Sequence, residues 1–128
     1  MKLKSKLIHV RKLPPNTPVG YGGSYVTTGY EKIAVVPIGH GDGYSRALSN
    51  KGEMLVGGRR AKIVGTISLD QTLIDVTEIP NVAEGDEVIL IGKQGTDEIS
   101  AYNVADWMDS IVDEVVSSLT ERIRRVYV

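Results

Sequence analysis

The chain has 128 residues, 41% of them hydrophobic and 24% charged, with a formal net charge of -1 and no cysteine. That length suits one domain with one buried core, and that apolar content excludes a disordered chain. The near-zero charge leaves nothing to steer the protein to nucleic acid or an acidic membrane, and the missing cysteines exclude disulfides and thiolate metal sites.

With no Phe and one Trp, the core has to be aliphatic, and short clusters of Val and Ile favour strands. In chain order, KLIHV (6–10) reads as a first strand and RKLPPNTP (11–18) as a loop, because its prolines fix φ and remove donors. PVGYGGSYV (18–26) sets two tyrosines among three glycines. EKIAVVPIG (31–39) reads as a buried strand ending near Pro37, followed by the turn chemistry of HGDGYSRALSNKG (40–52). EMLVGGRRAKIVGTIS (53–68) reads as a hairpin about Gly57–Gly58. TLIDVT (72–77) alternates, with Leu73, Asp75 and Thr77 on one face and Ile74 and Val76 on the other. AEGDEVILIG (83–92) is a turn and then a strand. Ser100 is a good N-cap for a helix over AYNVADWM (101–108), whose pattern SIVDEVVSSL (110–119) continues. RIRRVYV (122–128) alternates and reads as a last strand. The expected fold is mainly β, a small barrel or sandwich with a short helical part. The amino terminus has no signal-peptide pattern and the apolar runs are far short of a membrane span, so the expectation is a soluble, cytoplasmic protein.

Several stretches invite a site. GHGDG (39–43) looks like the start of a dinucleotide loop, but no helix follows to hold the phosphate. His40 and Asp42 are too few for a metal site, and the other histidine, His9, is far away in sequence. Asp70 in SLDQ is polar between apolar strands, and no G-x-S-x-G elbow places a serine nucleophile. Taken singly, each has a structural explanation: a loop histidine, a strand-end carboxylate, a half-buried phenol.

Taken together and in order, VGYGGSYV (19–26), IAVVPIGHGDGYSRALSNKGEMLVGGRRAKIVGTISLDQTLIDVT (33–77), VAEGDEVILIG (82–92) and ISAYNVADWM (99–108) resemble the C-terminal domain of bacterial alanine racemase. The similarity runs from about residue 7 to the end. It implies a small Greek-key β-barrel with one or two short helices near the C-terminus. It also implies a homodimer in which this domain meets a (β/α)8 barrel, of its own polypeptide and of the partner subunit, that carries pyridoxal phosphate on a lysine. The activity implied is interconversion of L- and D-alanine for peptidoglycan synthesis. Tyr21 falls on the family's tyrosine base, and Leu69 on the residue whose backbone N–H binds the substrate carboxylate, where Met is usual. Asp70 falls in the active-site wall, and Ser68 stands where Cys is frequent.

His40 and Asp113 stand where the family has two tyrosines that narrow the entrance to the pocket. A His40–Asp113 pair within about 4 Å would make a wider, more polar gate; the alternative is that each residue faces solvent independently. The barrel itself, needing roughly 200 to 250 residues, lies outside this sequence. Residues 1–128 are therefore read as the racemase C-terminal β domain, excised from a longer enzyme. Alone it is expected to be inactive and to bind no pyridoxal phosphate and no metal. Two alternatives stay open: a racemase for serine or a broader set of amino acids, and a stand-alone β-barrel interaction module without catalysis.

Overall fold

The computed structural model describes residues 1–20 and 22–126; Tyr21, Tyr127 and Val128 lie outside them. Ten strands and two short helices follow in order: β1 (Leu3–Lys6), β2 (His9–Leu13), β3 (Pro18–Val19), β4 (Tyr25–Val26), β5 (Glu31–Val36), β6 (Glu53–Val56), β7 (Arg59–Ile63), β8 (Thr72–Asp75), β9 (Glu87–Gln94), β10 (Asp97–Ile99), α1 (Ala101–Met108) and α2 (Val112–Ser117). The main sheet runs β1-β9-β6-β7-β8-β5-β2, with β10 also on β9, while β3 and β4 pair separately. Strands β6, β7 and β8 follow as neighbours, and β5 returns beside β8, which is the Greek-key arrangement. Leu7 and Ile8 curl the sheet into a barrel. The Leu7 N–H donates to Asp86 O at 3.0 Å beside β9, and the Ile8 N–H to Val35 O at 3.0 Å on β5. Two successive residues thus join the two ends of the sheet.

Strand patterning explains the interior. Ile74 and Val76 are buried while Leu73 and Asp75 are half-buried, as period-2 alternation requires. The run Val88–Ile91 in β9 is buried throughout, in one core cluster with Ala34, Val36, Leu55, Ile63 and Ile99. Gly57 and Gly58 take φ 60° and 76°, the left-handed pair that a two-residue hairpin turn needs. Ser100 and Asn103 cap α1 reciprocally, Ser100 Oγ accepting from the Asn103 N–H at 3.1 Å and Asn103 Oδ1 from the Ser100 N–H at 2.9 Å.

Four expectations are corrected. The single strand expected over 6–10 is two strands, because the chain must change partners at Leu7–Ile8 to close the barrel. Arg11–Leu13 is strand rather than loop, and the turn starts only at Pro14. The helix stops at Asp109, whose φ of 56° ends α1 before α2 starts. Residues 122–126 are not a strand; positions 127 and 128 of that expected element lie outside the described residues. The tail folds on itself instead, with the Arg125 guanidinium donating to the carbonyls of Leu119, Thr120 and Ile123.

Arg60 ties three strands. Its guanidinium donates to Asp97 at 2.9 Å, to Glu53 at 2.9 Å and to Glu98 O at 2.9 Å. That hydrogen bond holds the Asp97 carboxyl below its ordinary range. A depressed carboxyl stabilises the fold above its ordinary pKa, and the contribution is lost as pH falls through the lowered value. Arg60→Ala should lower the urea midpoint, and the difference from wild type should shrink at high salt and at low pH. A difference that is unchanged by both would show that packing of the Arg60 stem, not its charge, matters.

Candidate active site

The β3–β4 hairpin lies on the outside of the barrel. Its apolar side, Val19 with Tyr25, covers Ile33 and Val64 in a small second cluster. Its loop is almost all glycine, with Gly20, Gly22 and Gly23 at φ 79°, 76° and 63°. Gly20 also lies so near the next segment that a Cβ there would stand 3.1 Å from Gly65 Cα and from Thr66 N. Any side chain at Gly20 would push the loop away. At the hairpin base, the Thr27 hydroxyl donates to Pro14 O at 2.6 Å and accepts from the Thr17 N–H at 2.9 Å. Tyr21, at the centre of this loop in sequence, lies outside the described residues.

The other tyrosine of the motif is committed elsewhere. Tyr25 Oη donates to Glu31 Oε1 at 2.6 Å, and the Glu31 carboxylate also accepts from the Thr28 N–H at 2.8 Å. This hydrogen bond to a carboxylate, with burial, pushes the Tyr25 phenol up to about 12. A phenol held that way is no base near neutral pH. Tyr44, in the following motif, is inside the core, and burial pushes its phenol up as well. At Glu31, burial pushes the carboxyl up, but the hydrogen bonds from Tyr25, Thr28 and Gly29 outweigh it and the net shift is downward. The hairpin anchor is therefore present above the ordinary carboxylate range and lost as pH falls through the lowered value. Tyr25→Phe should cost about 2 kcal/mol, as for a hydrogen bond to a charged group. It should also flatten the acid limb, so that the difference from wild type shrinks as pH falls below the ordinary carboxylate range, as read by urea unfolding across pH. An unchanged acid limb would refute the Tyr25–Glu31 anchor.

The segment 65–71 forms the wall beside the hairpin. Its backbone is gripped by the 39–43 turn: the His40 N–H donates to Ser68 O at 3.0 Å and the Gly41 N–H to Leu69 O at 2.8 Å. Ser68 closes a turn of its own, its Oγ accepting from the Gln71 N–H at 3.1 Å. Leu69 is thereby displayed, 56% exposed, with Asp70 exposed next to it. Among the described residues the Leu69 and Asp70 N–H groups have no acceptor. His40, Arg46, Ile67, Ser68 and Leu69 line a shallow cleft at this point.

The glycines of GHGDG are packing residues. A Cβ at Gly39 would lie 2.2 Å from Ser68 O, and one at Gly43 would lie 2.0 Å from Ser118 O. The space a phosphate would need is filled by protein backbone. Asp42 is turned inward, accepting from the Gly39 N–H at 2.9 Å and pairing with Arg122 at 3.2 Å. Among the described residues no group of three or more His, Asp or Glu side chains is placed to hold a metal.

The structure brings His40, Leu69 and Asp70 to one wall and sets Asp113 apart. Asp113 lines a different depression, with Tyr102, Asp106 and Ser110–Val112. Within this single chain, among the described residues, His40 makes no ion pair within 4.0 Å, so His40 and Asp113 do not pair inside one domain. The reason is local: Asp113 occupies the first turn of α2, where a carboxylate suits the helix N-terminus, and Val115 is the α2 residue that turns to the core. Sequence reading missed Ser49 and Asn50. Ser49 Oγ accepts from the Ile67 N–H at 2.9 Å and Asn50 Oδ1 from the Gly65 N–H at 2.7 Å. A left-handed asparagine, φ 58°, in a polar turn is a faint signal of such a clamp.

Comparison with known proteins agrees with this architecture. The family model "Alanine racemase, C-terminal domain" matches residues 1–127. An alanine racemase of Thermodesulfovibrio yellowstonii is 48% identical over 128 residues, all of this chain and 35% of that protein. One from Halothermothrix orenii is 48% identical over 124 residues, 97% of this chain and 33% of that protein. The chain thus spans about a third of the length of these relatives. Among solved structures, the alanine racemase of Bartonella henselae with covalently bound pyridoxal phosphate superposes with a TM-score of 0.93 at 33% identity, covering 99% of this chain and 34% of that one. The alanine racemase of E. faecalis superposes with a TM-score of 0.90 at 39% identity, covering 95% of this chain and 32% of that one.

Proposed function

Because this chain belongs to the alanine racemase C-terminal domain family, we propose that it supplies half of a racemase active site, in an enzyme that interconverts L- and D-alanine for peptidoglycan synthesis in the cytoplasm. The observation that carries the reading is the junction of the Tyr21 hairpin with the Leu69 wall. Gly20 lies against Gly65 and Thr66, only a few residues before Leu69, whose N–H has no acceptor among the described residues. The loop whose sequence contains the candidate base therefore meets the segment that leads to the candidate carboxylate donor. Tyr25 and Tyr44 are both held in the protonated form, which argues against either of them as the base.

In this reading Tyr21 takes the α-proton from the L face of the substrate. A free phenol titrates near 10, and bringing it 2 to 3 units down needs about 3 to 4 kcal/mol of differential stabilisation. In this reading that positive potential is supplied by the cofactor-bearing barrel. The Leu69 N–H, with the neighbouring wall, orients the substrate carboxylate; a backbone donor serves equally well under Leu or Met. Asp70 and His40 shape the wall. Pyridoxal phosphate, when bound, supplies the sink for the electron pair left at Cα. Holding it falls to another domain in this reading: the GHGDG loop is filled by backbone, and the cleft at Leu69 is lined by no lysine among the described residues. The partners proposed are therefore the cofactor-bearing barrel of the same polypeptide and that of a second subunit in a homodimer. A second reading, a racemase for serine or a broader set of amino acids, draws on His40 and Arg46, two polar side chains in the cleft beside Leu69.

The test compares this chain alone with the same chain joined to its barrel. The joined protein should exchange the α-hydrogen of alanine with solvent and racemise it. The chain alone should do neither, and should retain no cofactor absorbance after dialysis. Racemisation by the chain alone, or cofactor that it keeps, would overturn the shared-site reading. The ratio of kcat/KM for serine to that for alanine decides between the two substrate readings.

A further inference from the structure

Asn50 sits between the two halves of the proposed site. Its Oδ1 accepts from the Gly65 N–H at 2.7 Å, and its Nδ2 donates to Ser24 Oγ at 3.2 Å. Ser24 Oγ in turn lies 2.9 Å from Thr66 Oγ1. One carboxamide thus binds the segment leading to Leu69 with one end and the end of the Gly20–Ser24 loop with the other. Among the described residues the other ties of this loop are the Gly23 N–H donating to Gly20 O at 3.2 Å and the close approach of Gly20 to Gly65, and its glycines stand at left-handed φ without side chains to anchor them. Gly65 is buried, so its N–H needs the acceptor that Asn50 provides. Asn50 itself stands at φ 58°, a backbone conformation that asparagine tolerates and most residues do not.

We infer that Asn50 is a positioning residue for the base, setting the distance between the Tyr21 loop and the carboxylate-binding wall. This rests on the reading of Tyr21 as the base. Asn50 does not touch substrate in this account; it acts through the loop. Misplacing a reacting group by about 1 Å costs up to roughly 10²-fold, so loss of the clamp should slow the step that Tyr21 performs and spare the step on the opposite face.

The experiment uses the whole enzyme and follows solvent-deuterium entry at Cα of L-alanine and of D-alanine separately. Asn50→Gly is the informative change, because glycine keeps the left-handed backbone while removing the carboxamide. It should slow exchange from L-alanine by roughly 10- to 100-fold, with little change from D-alanine. Asn50→Asp keeps the acceptor for Gly65 and can accept from the Ser24 hydroxyl, so it should restore most of the rate. In a Tyr21→Phe background Asn50→Gly should add no further loss, since its target is gone. An equal loss at both faces, an additive loss in the Tyr21→Phe background, or no loss at all would overturn the inference. A Tyr21→Phe enzyme with normal exchange from L-alanine would overturn the base assignment first, and the positioning role with it. Should Asn50→Gly not fold, Ser24→Ala carries the same comparison. It removes one arm of the clamp from an exposed hydroxyl and leaves the backbone untouched.

Discussion

Tyr21→Phe in the whole enzyme is expected to lower α-proton abstraction from L-alanine by roughly 10² to 10⁴, the usual contribution of a positioned base. The phenylalanine ring keeps the volume and loses only the proton acceptor. Racemisation must fall equally in both directions, because the two enantiomers are equal in free energy and the equilibrium constant is one. The diagnostic asymmetry is in isotope exchange, where solvent deuterium should still enter D-alanine from the opposite face. Tyr25→Phe is the internal comparison. It lies four residues away in the same hairpin, and its phenol is pushed up to about 12 by Glu31. It should lose stability but keep the L-face step to within a few-fold. Similar small losses from both enantiomers in Tyr21→Phe would remove the base assignment.

The second large effect is structural. Gly43→Ala should cost about 2 to 5 kcal/mol, from two sources. The left-handed φ of 91° penalises any Cβ by about 1 to 2 kcal/mol. The new methyl would also stand 2.0 Å from Ser118 O, a backbone atom that cannot move without lifting the end of α2. Forcing such a shift adds about 1 to 3 kcal/mol. Gly85→Ala separates the two terms, since Gly85 has a similar φ of 90° and nothing within 4 Å of its would-be Cβ. Urea unfolding of both variants should show Gly43→Ala the more costly by the packing term. Equal costs would mean that the 39–43 turn is not packed against residue 118 as described.

Such contacts also mark what could be read in the sequence. The hairpin about Gly57–Gly58, the alternation of Ile74 and Val76 against Leu73 and Asp75, and the Ser100 cap were all legible. Each depends on a period or a turn conformation set by residues adjacent in the chain. The resemblance carried the site residues in the same manner, position by position. It could not say which phenol of GYGGSY is restrained, because that depends on Glu31 reaching across from β5.

What the 128 residues determined by themselves was the class of the fold, its aliphatic core and the order of its hairpins. Local propensity and hydrophobic period suffice for that. Tertiary structure alone decided the split of the first strand at Leu7–Ile8, since a chain segment cannot show which of two distant strands each half will pair with. It decided that GHGDG is a packing node rather than a phosphate cradle, because the atoms that fill the space come from residues 68 and 118. It placed His40 and Asp113 in different clefts of this one chain, and it made Asn50 the link between Ser24 and Gly65. In each case the deciding contact joins segments brought together only when the barrel closes, and the energy of such a contact appears in no local pattern.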